Sequence, residues 1–109
     1  MPYKPKELDV IRNDNARLLN KMYPFKRNVI EINSNNSLEH ELKKAEISYN
    51  LIKEGNEIVT EARFLNGKIA DIFVLDVCWV YEVLNTEKLE DCKKKVESYP
   101  VKRVIMVKV

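Results

Sequence analysis

An Asn-Gly pair between two strand-like runs constrains the fold of this 109-residue chain more than any other local feature. Residues 57–65 and 68–75 are rich in β-branched and apolar side chains, and Asn66-Gly67 between them favours a tight β-turn. A third run of the same kind, 78–84, follows almost at once. The pattern predicts a three-stranded antiparallel meander.

The turn also predicts a register for the hairpin. If the loop has two residues, Ala62 pairs with Asp71, and their side chains share one face of the sheet. Glu61 and Lys68 then lie on the opposite face, unless a bulge intervenes. We therefore expect the side chain of Asp71 to be separated from that of Glu61.

The N-terminal part is predicted to be a helix followed by a short strand. Spacings of three and four residues predict a helix over residues 6–22 with one narrow stripe, formed by Leu8, Ile11, Asn15, Leu18 and Met22. Pro24 ends this helix, and residues 28–33 are predicted to form the strand. The stripe either packs on the domain or serves as a homodimer contact.

A second helix is predicted over residues 37–54. Ser37 is a suitable N-cap, and Gly55 is a suitable stop. Glu39 and Glu41 lie near the positive end of this helix, which favours negative charge. Its buried side is predicted to be apolar and to consist of Leu38, Leu42, Ala45, Tyr49 and Ile52.

A third helix and a final strand complete the predicted fold. Thr86 is a suitable cap for the helix and Pro100 ends it, with an apolar side formed by Leu89, Cys92, Val96 and Tyr99. Because this helix precedes the strand-like run 101–109, a parallel crossover is natural. The predicted class is α/β: helix, three-stranded antiparallel meander, helix and strand, a mixed sheet flanked by helices with an N-terminal helical extension.

Two regions are expected within a single structural domain. Residues 1–36 form a basic N-terminal helix and connecting segment, and residues 37–109 form the α/β core. A chain of 109 residues is too short for two independent hydrophobic cores.

Charge is distributed unevenly along the chain. Residues 1–27 contain seven basic and three acidic residues, a balance of +4, so the remainder carries −2 of the total of +2. Such a segment can recruit a polyanion such as DNA, and the candidate nucleic-acid-binding residues are Arg12, Arg17, Lys21, Lys26 and Arg27. The alternative is an ordinary solvated helix face.

Composition predicts an intracellular, cytoplasmic protein with no membrane partner. No segment reaches the roughly 18 consecutive apolar residues that a membrane-spanning helix needs, and the N-terminus lacks the apolar region of a signal peptide. Cys78 and Cys92 are isolated thiols, as expected of core residues in a reducing compartment.

Two acidic residues interrupt the apolar runs of the meander. Asp71 lies within residues 69–75, and Glu82 lies within residues 79–84. A buried carboxylate needs a cation or strong hydrogen-bond donors to remain charged. Two of them on adjacent strands predict a metal site, and the alternative is an ion pair or a hydrogen-bonded strand end.

The order of elements and three short motifs resemble the PD-(D/E)XK, or restriction-endonuclease-like, nuclease superfamily. The similarity is greatest to the small branch with competence CoiA-like nucleases and archaeal Holliday-junction resolvases, and it covers about residues 37–109. The motifs are Ser37-Leu38-Glu39-His40-Glu41-Leu42-Lys43-Lys44, the stretch Glu61-Ala62-Arg63-Phe64 with Asn66-Gly67-Lys68 and Ala70-Asp71-Ile72, and Val80-Tyr81-Glu82-Val83.

The resemblance implies a set of site residues. Asp71, Glu82 and the Val83 carbonyl would bind Mg²⁺ or Mn²⁺, since hard cations prefer oxygen ligands. Glu41 corresponds to the acidic residue of the family's first helix; the alternative for Glu41 is a solvent-facing charge in the first helical turn. His40 precedes it and either touches the site or is a surface or capping residue.

One position departs from the family pattern. The family has a lysine two residues after the strand glutamate, whereas this chain has Leu84, which cannot replace an ammonium group. Lys44, one turn after Glu41, is the best substitute because it would lie beside Glu41 on the helix. Lys88 and Lys94 are weaker candidates.

The predicted function is a metal-dependent nuclease that hydrolyses phosphodiester bonds of DNA, with RNA as the other candidate substrate, in DNA repair or recombination. The alternative is a catalytically impaired protein of nuclease fold that acts as a nucleic-acid-binding or assembly module. A third interpretation is a structural α/β interaction module in which the acids only cap or pair.

Overall fold

Four strands form one mixed sheet in the computed structural model, which describes residues 5–85, 94 and 96–109. The strands are β1 (Ile58–Arg63), β2 (Ile69–Val74), β3 (Trp79–Leu84) and β4 (Arg103–Lys108). Their spatial order is β1-β2-β3-β4. β1, β2 and β3 form the predicted antiparallel meander, and β4 pairs parallel to β3, as predicted.

Helices flank this sheet. The elements are α1 (Pro5–Ala16) and α2 (Leu38–Lys53). Lys94 and residues 96–98 are helical, whereas the start of the predicted third helix, with Thr86, Lys88, Leu89 and Cys92, lies outside the described residues. In the described part of the chain, no helix has both the length and the apolarity to cross a membrane.

Two hydrophobic clusters cover opposite faces of the sheet, because alternate residues of a strand point to opposite sides. The N-terminal-side core contains Leu19, Phe64, Phe73 and Tyr99 among its buried residues. The α2-side core contains Leu51, Ile58, Ile72 and Val74, with Trp79 and Tyr81 packed against it. Trp79 and Tyr81 therefore lie on the face of the sheet that α2 covers.

The predicted first helix is too long. α1 ends at Ala16, and Leu19 forms a β-bridge with Phe64 at the edge of the sheet. The Asn20 N–H donates to the Arg63 carbonyl, and the Leu65 N–H donates to the Leu18 carbonyl. Hydrogen bonds to the sheet edge thus replace those of another helical turn, and Met22 is left 85% exposed instead of joining an apolar stripe.

The strand predicted at residues 28–33 is also wrong. This segment is irregular, although it runs beside β1. The Asn28 side chain accepts a hydrogen bond from the Ile58 N–H, and the Thr60 hydroxyl bonds both Val29 and Glu31. Side chains therefore form hydrogen bonds with several backbone groups along this edge, so a regular backbone ladder does not form.

The second helix has the predicted cap but buries a different side from the one predicted. The Ser37 hydroxyl accepts a hydrogen bond from the His40 N–H, and Gly55 follows the helix with a positive φ. Leu38, Leu42 and Tyr49 are 69%, 60% and 60% exposed. The buried residues are His40, Glu41, Lys44, Ser48 and Leu51, so the predicted apolar interior is replaced by a largely polar one.

The hairpin loop has three residues, not two. The Phe64 N–H donates to the Lys68 carbonyl, and Gly67 adopts a φ of 87° at the end of the turn. Such a loop suits glycine in the left-handed conformation. The register shifts by one residue, so Ala62 pairs with Ala70, and the predicted Ala62–Asp71 pair is wrong.

Candidate functional site

Asp71 and Glu82 lie side by side where β2 and β3 separate. The β2–β3 ladder ends at the Ile72–Tyr81 pair, one step before these acids would face each other. The Asp71 N–H instead lies 3.3 Å from Glu82 Oε1, and the Val83 N–H donates to Asp71 Oδ2 at 2.8 Å. Each strand thus uses the other's carboxylate to satisfy a backbone donor.

An irregularity in β1 and β2 turns Asp71 toward α2. Glu61 would face Asp71 between two regular pairs, but it has a φ of 50° and forms no ladder pair. Ala70 belongs to the N-terminal-side core and Ile72 to the α2-side core, although residues two apart in a regular strand share a face. The alternation therefore breaks at Asp71.

Glu82 is buried beside a second acid. Burial, followed by the negative charge of Asp71, raises the pKa of Glu82 to about 8. The hydroxyl oxygen of Tyr99 lies 2.5 Å from Glu82 Oε1 and 2.9 Å from the carbonyl of Ile69. The Tyr99 hydroxyl donates to Glu82, which favours the charged carboxylate and opposes part of this rise in pKa.

His40 bridges two carboxylates from the inner side of α2. Its Nδ1 lies 2.9 Å from Glu41 Oε1, and its Nε2 lies 3.3 Å from Asp71 Oδ2. The side chain is buried, so the alternative of a surface histidine is wrong. His40 links the helix motif directly to the strand acids.

Glu41 is buried within a network of hydrogen bonds, so the alternative of a solvent-facing charge is also wrong. Burial opposes its ionisation, but hydrogen bonds from Lys44, Asn33, Asn36 and His40 lower the pKa of Glu41 to about 2. These contacts join the segment before α2 to the helix.

Lys44 is the cation of this network. Its ammonium lies 2.7 Å from Glu41 Oε2 and 2.8 Å from Glu61 Oε1, and the side chain is completely buried. The prediction that Lys44 lies beside Glu41 is confirmed. The predicted separation of Glu61 from this region is wrong, because the shifted register and the irregular Glu61 backbone bring its carboxylate to α2.

A cleft of about 380 Å³ opens over the two strand acids. Its lining includes Asp71, Glu82, His40, Glu61 and Val83, whereas Lys44 does not line it. A molecule in the cleft could therefore contact Asp71 and Glu82 but not the Lys44 ammonium.

The donor chemistry of the cleft suits a hard divalent cation. Asp71 and Glu82 supply carboxylate oxygens. The Val83 N–H points to Asp71, and the carbonyl of an extended residue points to the same side as its N–H, so this carbonyl also faces Asp71. Among the described residues there is no group of three or more His, Cys, Asp or Glu side chains arranged to hold a metal, so the backbone would have to contribute.

The predicted nucleic-acid-binding residues have different surroundings. The Arg12 guanidinium bonds both Asp76 and Glu57 and donates to the Gly55 carbonyl. Arg27 donates to Glu57 and Asn13. These two residues therefore join α1 and its following segment to the sheet.

The other three basic residues lie on the surface. Lys21 and Lys26 are exposed, and Arg17 is 79% exposed with only a 3.8 Å contact to Asp14. The structure does not gather the five residues into one patch around the cleft: Lys26 alone among them lines a neighbouring groove. Lys94 is exposed.

Sequence reasoning missed several neighbours of the acids. Tyr99 was predicted as a buried apolar residue, without its hydrogen bond to Glu82. Asn33 and Asn36 were not considered as partners of Glu41. The one available signal was Gly67, because Asn-Gly also fits a three-residue loop that would have moved Glu61.

In comparisons with known proteins, no family model matches the chain, and no curated protein or solved structure shows significant similarity to it. The resemblance to nucleases therefore stays a prediction from the motifs.

Proposed function

We propose that this protein is a divalent-metal-dependent nuclease with a restriction-endonuclease-like core, acting on DNA phosphodiester bonds at the Asp71–Glu82 cleft. The observation that carries the proposal is the placement of two carboxylates at the point where β2 and β3 separate. Mutual repulsion and burial oppose the charge of this pair, so a bound cation would stabilise it.

Asp71, Glu82 and the Val83 carbonyl would hold Mg²⁺ or Mn²⁺. Such a cation, when bound, lowers the pKa of water and neutralises charge that develops on a phosphate. His40 orients Asp71 through the 3.3 Å contact to Oδ2. Tyr99, which belongs to the N-terminal-side core, positions the Glu82 carboxyl group.

Lys44 acts in this proposal as a positioning residue. Because its ammonium is enclosed by Glu41 and Glu61, it holds the helix against β1 and does not contact a substrate. It therefore does not replace the lysine that is missing at Leu84.

The second candidate function follows from the same observation. With Leu84 in place of lysine and Lys44 enclosed, no lysine lines the cleft among the residues that the structure describes. A catalytically impaired nuclease-fold protein that binds nucleic acid or supports an assembly would have such a cleft. The two functions differ in turnover, whereas both require the same fold.

Calorimetric titration with Mn²⁺ and cleavage of single-stranded, duplex and branched DNA test the proposal together. Asp71→Asn and Glu82→Gln are each expected to lower Mn²⁺ affinity at least about tenfold and to abolish cleavage, because each removes a charged oxygen ligand. Glu46→Gln is the matched control, since it changes an exposed acid on the outer side of α2.

Each outcome has a clear meaning. Cleavage that survives Asp71→Asn would overturn the proposed site. Mn²⁺ binding without cleavage in the unmodified protein would support the impaired-nuclease function, and cleavage gained in Leu84→Lys would identify the missing group. Equal Mn²⁺ affinity in all variants would contradict the proposed metal site.

A further inference from the structure

A groove of about 660 Å³ lies between the N-terminal segment and the edge of β1. Its lining includes Tyr23, Lys26 and Arg63, with the apolar side chains of Val29 and Ile32. The volume is within the range of about 300–1,000 Å³ that is usual for ligand sites. The groove can therefore hold more than a bound water cluster.

The groove adjoins the cleft over Asp71 and Glu82. Asn33, Asn35 and Glu61 line both spaces. The wall between them is anchored, because the Asn33 N–H donates to Glu41 Oε2 at 3.0 Å. A chain-like ligand that crosses these shared residues could thus occupy both spaces.

Tyr23 provides an aromatic surface in this groove. The residue is 51% exposed, and the Arg63 guanidinium carbon lies 4.6 Å from its ring centroid. This cation–π contact restrains the ring while half of the residue remains open to a ligand. Exposed aromatic rings next to cations are the usual stacking surfaces for unpaired bases.

The charges of the groove fit a ligand with both bases and phosphates. Lys26 and Arg63 contribute two positive charges, and Glu31 contributes one negative charge. The second acid in the lining, Glu61, is paired with Lys44 at 2.8 Å. The lining is therefore weakly positive, and stacking contributes more to affinity here than attraction of phosphates.

We infer that this groove binds unpaired nucleotides of a DNA single strand next to the cleft, with one base stacked on Tyr23. The inference rests on the proposed function for its choice of DNA. It deepens that function by naming single-stranded or single-strand-flanked DNA as the substrate class. Arg63 holds the ring and, with Lys26, contacts the phosphates.

Fluorescence anisotropy with a labelled oligodeoxythymidylate of about eight nucleotides tests the inference. The full chain is used with a chelator, so that cleavage and metal binding play no part. Tyr23→Ala is expected to weaken binding about tenfold, as for the loss of one stacked base. An abasic oligomer of equal length should bind the unmodified protein about tenfold more weakly than the thymidylate and should not respond to Tyr23→Ala.

Tyr49→Ala is the matched control. Tyr49 is also an exposed tyrosine with a cation near its ring, Lys53 at 5.9 Å, but it lies on the outer side of α2. Its replacement should change affinity by less than about twofold. Tyr23→Phe, which keeps the ring, should bind like the unmodified protein, and thermal melting of each variant checks that it is folded.

The results separate this inference from the proposed function. Equal affinity of Tyr23→Ala and Tyr49→Ala for the thymidylate would overturn the proposed nucleotide site in the groove. Equal binding of the thymidylate and abasic oligomers would overturn it as well. Loss of metal-dependent cleavage in Asp71→Asn would then still support the nuclease. Conversely, a strong Tyr23 effect without any metal binding would support the groove and contradict the nuclease.

Discussion

Glu41 and Glu82 are both buried glutamates of the same site, yet the pKa values of their carboxyl groups shift in opposite directions. For both, burial opposes the charge, but Lys44 and three further hydrogen-bond donors lower the pKa of Glu41 to about 2. For Glu82, burial and the neighbouring charge of Asp71 raise the pKa to about 8. Burial alone thus does not decide the charge of an acid; the sign of its nearest charged neighbour does.

The two environments have different consequences for the molecule. The Glu41–Lys44–Glu61 network supplies its own cation and serves to attach α2 to the sheet. The Asp71–Glu82 pair has no lysine or arginine within salt-bridge distance in the described part of the chain. The first environment stabilises the fold, and the second is suited to an external cation.

Removal of the Lys44 cation from the Glu41–Lys44–Glu61 network is expected to have the largest effect on stability. Lys44→Met leaves the buried Glu41 carboxylate and the partly buried Glu61 carboxylate without their partner, so the free energy of unfolding should fall by about 3–5 kcal/mol. Urea denaturation at neutral pH measures this loss.

Lys43→Met is the control for that substitution. Lys43 is the preceding residue of α2 and forms only a partly exposed contact with Glu46, so its replacement should cost less than about 1 kcal/mol. Equal losses for the two variants would contradict the assigned role of Lys44.

The pH dependence of Glu82 should be the next largest effect. Because the folded protein retains the Glu82 proton up to a pH of about 8, whereas an unfolded glutamate loses it near 4.5, stability falls as pH rises through this window. Glu82→Gln removes this dependence. In a chelator, the variant should therefore gain about 2–3 kcal/mol relative to the unmodified protein between pH 5 and pH 7.5.

Thermal or urea unfolding across this pH range measures the difference between the two proteins. Addition of Mn²⁺ above pH 7 should then stabilise the unmodified protein more than Glu82→Gln, because only the former has both charged ligands. Parallel stability curves in the absence of metal would show that Glu82 ionises normally.

The smallest expected effect concerns Ser48, a polar residue on the buried side of α2. The Ser48 hydroxyl is buried, and within the described part of the chain it makes no hydrogen bond. Ser48→Ala should raise the free energy of unfolding by about 0.5–1 kcal/mol, since it removes an unsatisfied group and increases helix propensity. A loss of stability in urea denaturation would indicate that this hydroxyl has a partner in solution.

The sequence was most informative where a local signal has one main structural outcome. The Ser37 cap, the Gly55 stop and the parallel β4 were predicted correctly, because capping chemistry and crossover geometry depend on nearby residues. Lys44 was placed beside Glu41 because three residues separate them on a helix. The adjacency of Asp71 and Glu82 followed from the meander.

The errors arose where two structures satisfy the same local pattern. Asn66-Gly67 fits loops of two or three residues, and the choice moves Glu61 from one face of the sheet to the other. The end of α1 depended on the hydrogen bonds that the Leu18 carbonyl accepts from the distant hairpin and the Asn20 N–H donates to it. A local sequence pattern does not show that such distant hydrogen bonds will replace those of a further helical turn.

By itself, the sequence determined the α/β order of elements, the ends of α2 and the presence of two acids in neighbouring strands. The tertiary structure alone decided which side of α2 faces the sheet, and it chose His40, Glu41 and Lys44 over Leu38, Leu42 and Tyr49. The physical reason is that a buried charge is tolerated only with its partner, and Glu61, the second partner of Lys44, comes from a strand 17 residues away. Helical periodicity shows which positions are apolar, but it does not show which charged residues will form ion pairs.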